Sequence, residues 1–370
     1  MGRMKRFPIL LFMLSISASA ASAADLNGLR LPAGFHASVF AEVPGARSLA
    51  VADPLHAVFI GTRDDAVYIA VDRDADGRAE QVRKIAGGMA IANGVAWRDG
   101  WLYVGEQRRV LRFRATDPET AGRTKPEVVL DGLPDKRHHG RRYLAFGPDG
   151  LLYVAVGSLC NVCAPREPEG TILRMNVDTG KAANVEIYAR GIRNSVGMDF
   201  QPGTNRLHFT DNGSDGLGDD IPPDELNRAD RAGAHYGFPW FGGSRARTPE
   251  FSGSRPPDGT IPPVVAFGAH VAALGVHFYR GTAFPADYRN DAFVAQHGSW
   301  NRSVPDGYRI MRVRFEGGEA KGTEVFADGW LQDSGRVWGR PVDVKEDRSG
   351  ALLISDDRAG AVYRIVHDGP

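Results

Sequence analysis

The stretch that decides the fold is Leu151-Leu152-Tyr153-Val154-Ala155-Val156, answered after a polar segment by Thr171-Ile172-Leu173-Arg174-Met175. Both runs are rich in β-branched, aliphatic and aromatic residues, and the turn signal Pro148-Asp149-Gly150 precedes the first. The same plan recurs on either side. Towards the N-terminus it appears as Ala57-Val58-Phe59-Ile60 with Ala66-Val67-Tyr68-Ile69-Ala70-Val71, then as Trp101-Leu102-Tyr103-Val104 with Val110-Leu111-Arg112-Phe113. Towards the C-terminus it appears as Arg206-Leu207-His208-Phe209-Thr210, as Ala292-Phe293-Val294-Ala295 with Tyr308-Arg309-Ile310-Met311-Arg312-Val313, and as Ala351-Leu352-Leu353-Ile354-Ser355 with Ala361-Val362-Tyr363-Arg364-Ile365-Val366. Most units lie about 45–60 residues apart, the spacing of propeller blades. No long amphipathic helical pattern interrupts them. The reading is all-β, a six-bladed β-propeller over residues 25–370 without an internal domain boundary. A ring must join its ends, so a strand near Phe35-His36-Ala37-Ser38-Val39-Phe40 is expected to complete the last blade. The longest gap, between Phe209 and Phe293, contains a proline- and glycine-rich stretch over 244–263, read as a surface insertion.

Residues 1–24 are read apart from the fold. Arg3, Lys5 and Arg6 precede an apolar run led by Ile9, Leu10, Leu11 and Phe12, and small residues Ala21-Ser22-Ala23-Ala24 follow. This is the pattern of a cleaved signal peptide, so a periplasmic or secreted protein is expected. The run is too short to span a bilayer, and no later segment is long and apolar enough, so no stable membrane insertion is expected. Lys+Arg and Asp+Glu balance at 45 each, which leaves no global field for nucleic acid and requires local arginines for any anionic ligand. The two cysteines form Cys160-Asn161-Val162-Cys163. With Ala164 following, this is not a haem-attachment motif, and one pair cannot complete a structural zinc site. A loop-closing disulfide or thiol pair remains. The chain therefore carries no cytochrome of its own, and redox chemistry here would need an external electron acceptor, a quinone or a cytochrome.

Ligand chemistry in propellers sits on loops held by a rigid scaffold, and four loop groups stand out. The segment from His138-His139-Gly140-Arg141-Arg142 to Gly150 offers an imidazole able to act as a general base near neutral pH. Gly191-Ile192-Arg193-Asn194 offers a guanidinium fork and an amide. The stretch from Thr210-Asp211-Asn212-Gly213-Ser214-Asp215 to Asp224-Glu225-Leu226-Asn227 is read as a loop whose carboxylates and free carbonyls suit a hard cation such as calcium. Gln296-His297-Gly298-Ser299-Trp300-Asn301-Arg302 and Trp338-Gly339-Arg340 each offer one Trp and one Arg for a flat anionic ligand. Asp72-Arg73-Asp74-Ala75-Asp76-Gly77 imitates the start of a helix–loop–helix calcium site. Its twelfth position is Arg83 rather than Glu and its flanks read as strands, so it is expected to be a tight turn.

Taken together these loops resemble the soluble pyrroloquinoline-quinone-dependent sugar dehydrogenases, closest to the sorbosone dehydrogenase branch. The resemblance rests on His139-x-x-x-x-Leu144-x-Phe146-Gly147-Pro148-Asp149-Gly150, Val156-Gly157-Ser158-x-Cys160-Asn161-x-Cys163, Gly191-x-Arg193-Asn194, Gly218-Asp219-Asp220-x-Pro222-Pro223-Asp224-Glu225, Tyr236-Gly237-Phe238-Pro239 and His297-Gly298-Ser299-Trp300-Asn301-Arg302. It implies oxidation of a small sugar or aldehyde by hydride transfer to the quinone, with His139 as base. It further implies Arg193, Asn194, Arg302 and Arg340 as cofactor contacts, and carbonyls near Gly213 and Ser214 as calcium ligands. Members with a well-marked calcium loop have Gly-Pro where this chain has Gly213-Ser214. A six-bladed propeller also suits a calcium-dependent lactonase-type hydrolase or a non-catalytic binding propeller, because fold alone does not choose a function.

Overall fold

The computed structural model describes residues 26–369. The expected signal segment lies outside the described residues. The chain forms six antiparallel sheets arranged as a β-propeller, and helix is confined to four three-residue 3-10 turns among the described residues. Blade 1 runs outward from the axis through Ala46–Ala52, Ala57–Thr62, Val67–Val71 and Gln81–Ala86. Blade 2 follows with Gly94–Arg98, Trp101–Gly105, Val110–Arg114 and Glu127–Leu130. Blade 3 holds Leu144–Phe146, Leu152–Val156, Thr171–Asn176 and Ala183–Arg190, extended by the parallel pair Ala234–His235. Blade 4 holds Met198–Phe200, Leu207–Asp211, Pro223–Ala229 and Val265–Ala269. Blade 5 holds Ala273–Phe278, Ala292–Gln296, Arg309–Glu316 and Glu319–Ala327.

Blade 6 is assembled from both ends of the chain. Pro341–Glu346, Leu352–Asp356 and Ala361–His367 supply its three inner strands, and Phe35–Glu42 pairs antiparallel with Ala361–His367 as the fourth. The closing strand is anchored by Phe35, whose ring packs edge-on to Phe284 at 4.8 Å and to Phe326 at 5.1 Å, both from blade 5. The core is a set of wedges between neighbouring blades. Tyr279 and Phe293 of blade 5, for example, share a cluster with Leu352 and Tyr363 of blade 6. Each such fully buried large side chain stabilises the fold by about 1.5–3 kcal/mol.

The repeated runs read from the sequence are the second and third strands of the blades. The stretch 244–263 is exposed or half-buried apart from Thr248, and carries the 3-10 turn Pro249–Phe251. Asp72 to Glu80 joins two strands of blade 1 as a turn, with Gly77 at φ +88°. One expectation is corrected. The acid-rich stretch up to Asn227 is not loop throughout: Pro223–Ala229 is the third strand of blade 4, and Asp224, Glu225 and Asn227 are buried in it.

Candidate active site

In a four-stranded antiparallel blade the start of the first strand and the end of the second open on the same face. Residues from those two places therefore meet around one mouth of the channel. There a cavity of about 400 Å³ is walled by Arg47 and Arg63 of blade 1, His139 and Arg141 entering blade 3, Asn194 and Asn212 of blade 4, His297 and Trp300 after the second strand of blade 5, and Arg340 and Asp357 of blade 6.

His139 is held in one pose. Its backbone lies in the left-handed region at φ 50°, which His adopts more readily than most side chains. Nδ1 donates to the carbonyl oxygen of Ser158 at 2.7 Å, which leaves Nε2 as the basic nitrogen of the neutral ring. Gly157 makes this possible, because a Cβ there would sit 2.7 Å from the Cβ of His139 and 2.8 Å from its carbonyl oxygen. Burial, with the charges of Arg193 and His138 adding to it, holds the imidazole well below its usual value.

The cavity is strongly positive. Four guanidinium groups face it against one carboxylate, Asp357. Asp357 is already engaged, accepting from Arg47 Nη1 at 2.6 Å and from His297 Nε2 at 2.8 Å. Burial would raise Asp357, but His297 and Arg47 override it and hold the carboxylate far below the usual range. Burial pushes His297 down to about 4 despite the neighbouring Asp357. Arg141 is the uncompensated member. Arg47, then burial, then Arg63 push it down to about 9, and its buried Nε has no hydrogen-bond partner. Burial also lowers Arg340, whose Nε donates to the carbonyl of His297 at 3.0 Å. Arg47 is buried, Arg141 and Arg340 are half-buried and Arg63 is exposed, and like charges gathered in this way cost stability unless an anion completes them. The wall thus has the charge and fixed forks to receive a flat polyanion.

The structure brings together His139, Asn194 and Arg340 of the residues singled out in the sequence. It does not bring Arg193 or Arg302 to the cavity wall. Arg193 is buried and fully engaged: it donates to the carbonyl and side chain of Asn161, to the carbonyl of Asn212 at 3.2 Å and to Asp215 at 2.8 Å. Arg302 donates to the carbonyls of Asp219, Ala269 and Val304. Trp338 likewise packs on Trp330 and donates to the carbonyl of Gly329 rather than facing the cavity. Sequence reasoning missed Arg47, Arg63 and Asp357. It quoted Arg141 and His297 without assigning either a role. The cysteines are joined as a Cys160–Cys163 disulfide beside Asn161.

Gly213 lies behind the cavity in an ion-sized recess of about 10 Å³, shared with Asp211, Asn212 and Glu225. Asn212 borders both spaces. Burial pushes Asp211 up to about 7, Asp224 up to about 6 and Glu225 up to about 8. Ser214 is wholly buried and its Oγ has no partner, as is true of Asn227 Oδ1. The oxygen donors of the recess are of the kind a hard cation takes, and Arg193, held by Asn161, Asn212 and Asp215, lines the same space. Asp211 also fixes the next loop, accepting from the backbone N–H of Arg193 at 2.8 Å and of Asn194 at 2.6 Å.

A sequence profile described as glucose/sorbosone dehydrogenase matches residues 102–364. A Borreliella burgdorferi protein described as uncharacterized is 32% identical over 378 residues, covering 98% of this chain and 97% of its own. The aldose sugar dehydrogenase YliI of Escherichia coli is 30% identical over 274 residues, covering 68% of this chain and 65% of its own. In fold, the chain is similar to the holo form of the pyranose dehydrogenase PQQ domain from Coprinopsis cinerea, with TM-score 0.75 and 17% identity over 92% of this chain and 97% of that one.

Proposed function

The chain belongs to the glucose/sorbosone dehydrogenase family, and on that premise we propose that it is a pyrroloquinoline-quinone-dependent dehydrogenase of an aldose or related sugar or aldehyde. The observation that carries this reading is Arg141, a half-buried cation whose Nε is buried and unpartnered, among three further arginines around the cavity that also holds His139. Bound quinone supplies the hydride-accepting carbon, and calcium acts as a Lewis acid towards it. The residues of this chain do the rest. His139 Nε2 takes the proton from the anomeric hydroxyl of the sugar while Ser158 keeps the ring aimed. Arg141, Arg340 and Arg63 would pair with the cofactor carboxylates, and Asn194 would hydrogen-bond the cofactor. Arg47 is held by Asn93 and Asp357 and would add fixed positive charge to the wall. Arg193 and Arg302 act as scaffold: they tie the loops carrying Asn161, Asn212, Asp215 and Asp219 together. Carbonyls near Gly213 and Ser214, with the acids of the adjacent recess, would hold the calcium. Electrons leave to a separate quinone or cytochrome.

Carboxylates beside the metal recess would suit a lactonase-type hydrolase as well, but such a site calls for no guanidinium cluster, whereas four arginines wall the adjoining cavity. The disulfide supports an exported, oxidising location, and no helix of the described residues is long and apolar enough to cross a membrane. The test is dye reduction by protein reconstituted with the quinone and calcium, across a panel of aldoses and aldehydes. Quinone-dependent reduction with at least one substrate is expected. No reduction across the panel, or lactone hydrolysis without quinone, overturns the proposal.

A further inference from the structure

Six large apolar side chains are strongly exposed among the described residues, and Trp300 is both the most exposed, at 75%, and the only aromatic. Single exposed apolar residues are ordinary, but Trp300 also forms part of the wall that carries His139. Its loop is not slack. Ser299 N donates to the carbonyl of Asp306 at 2.9 Å, Asp306 N returns to Ser299 Oγ at 3.0 Å, and the Tyr308 hydroxyl donates to the Ser299 carbonyl. On the other side Asn301 Nδ2 donates to Asp215 at 2.7 Å. Gly298, at φ +96°, lets the loop cross the Tyr308 ring, which any Cβ there would strike. The chain thus pins both neighbours of an indole and leaves the indole itself in water at the rim of the cavity.

We propose that Trp300 is the platform on which the ring of a cyclic sugar stacks, and hence that it sets the preference of this site for ring-form sugars over short open-chain aldehydes. This rests on the function proposed above. A pyranose ring has one face of C–H groups and an edge of hydroxyls. Covering the exposed indole with the C–H face removes apolar surface from water on both partners while the hydroxyls stay solvated. A rigid aromatic side chain loses little conformational freedom on doing so. An open-chain aldehyde of three carbons has no such face and gains nothing from Trp300.

The experiment reads fluorescence and kinetics side by side. Trp300 is the only strongly exposed tryptophan of the six in the chain, so acrylamide quenches it preferentially. A saturating aldopyranose is expected to protect that quenchable component, glyceraldehyde to leave it unchanged, and Trp300→Phe to remove it. In the reconstituted enzyme, Trp300→Ala should raise KM for aldopyranoses about tenfold with kcat within about twofold. The same variant should leave KM for glyceraldehyde unchanged, and Trp300→Phe should restore most of the loss. An unprotected indole overturns the proposal. So does an equal KM rise for both substrates, or a rise in KM for the electron acceptor instead, which would make the rim an acceptor dock. If the wild-type protein oxidises nothing, the proposed function fails, and sugar protection of the indole still reports separately on Trp300.

Discussion

The guanidinium of Arg142 donates through Nη1 to the backbone carbonyl of His139 at 3.3 Å. Arg142 is wholly buried and touches no carboxylate; its other bonds go to the carbonyls of Gln107 at 2.9 Å and Pro134 at 2.7 Å. Burial lowers it to about 10, so it remains charged at neutral pH. It gathers three carbonyls, from the blade 2 loop and the crossing into blade 3, around the left-handed turn at His139. Arg142→Met leaves those carbonyls unpaired and should cost at least about 2 kcal/mol of stability. It should also lower kcat about tenfold or more. Quinone affinity should stay within threefold of wild type, because Arg142 does not face the cavity. Measured together, kcat, the acid limb of the pH profile and cofactor Kd separate this positioning role from general destabilisation.

The depressed imidazole of His139 fixes the sign of the pH dependence. It is neutral, and therefore able to accept a proton, at pH 6.5 and well below it. The acid limb of kcat/KM should accordingly fall well below pH 6.5. The linkage runs the same way. The unfolded chain binds this proton below about 6.5 and the folded one does not, so this group's contribution to stability is complete above 6.5 and is lost as pH falls towards the folded value. His139→Gln should remove the limb, lower kcat by about 10²–10⁴ and preserve cofactor binding, as read by stopped-flow kinetics and a binding titration.

Arg141→Gln should separate stability from function. Relieving the repulsion from Arg47 and Arg63 should raise the melting temperature of the cofactor-free protein by a few degrees. The same change removes a charged fork from the cavity and should weaken quinone binding at least about tenfold. Calorimetry of the free protein and a quinone titration give the two readings.

Arg193 and Arg340 should behave in opposite ways. Arg193→Ala abandons Asp215 and three further acceptors, and should destabilise the cofactor-free protein by at least about 2 kcal/mol. Arg340 has only main-chain acceptors and the Tyr308 ring beside it, and Arg340→Ala should mainly weaken quinone binding. Urea melts and quinone Kd for the pair check the assignment.

The second and third strands of most blades were legible because they alternate with clear turns. The innermost strands were not. Leu144–Phe146 and Met198–Phe200 are three residues long, too short for a period. Gly94–Arg98 begins on a glycine whose missing side chain admits the carbonyl of Arg142. At the site, His139, Asn194 and Arg340 stood next to turn motifs and were readable. Arg47 was hidden because it lies inside an inner strand, Ala46–Ala52, with no motif around it. Arg193 and Arg302 were conspicuous, yet Arg302 is taken up by main-chain carbonyls and Arg193 by carbonyls, the Asn161 side chain and Asp215. Whether a guanidinium is consumed by the fold or left for a ligand depends on which carbonyls come within 3 Å, and no local pattern encodes that.

On the function proposed above, the His139 cavity receives a planar polyanion beside a divalent cation. The most direct measurement is a titration of the cofactor-free protein with pyrroloquinoline quinone, with and without calcium, followed by quinone absorbance and by melting temperature. Saturable binding should perturb the quinone spectrum and raise the melting temperature by mass action, by about 2.7 kcal/mol of stabilisation at a hundredfold excess over Kd. Calcium should tighten it, and Arg141→Gln should weaken it. An unchanged spectrum and an unchanged melting temperature at millimolar quinone and calcium would contradict the account.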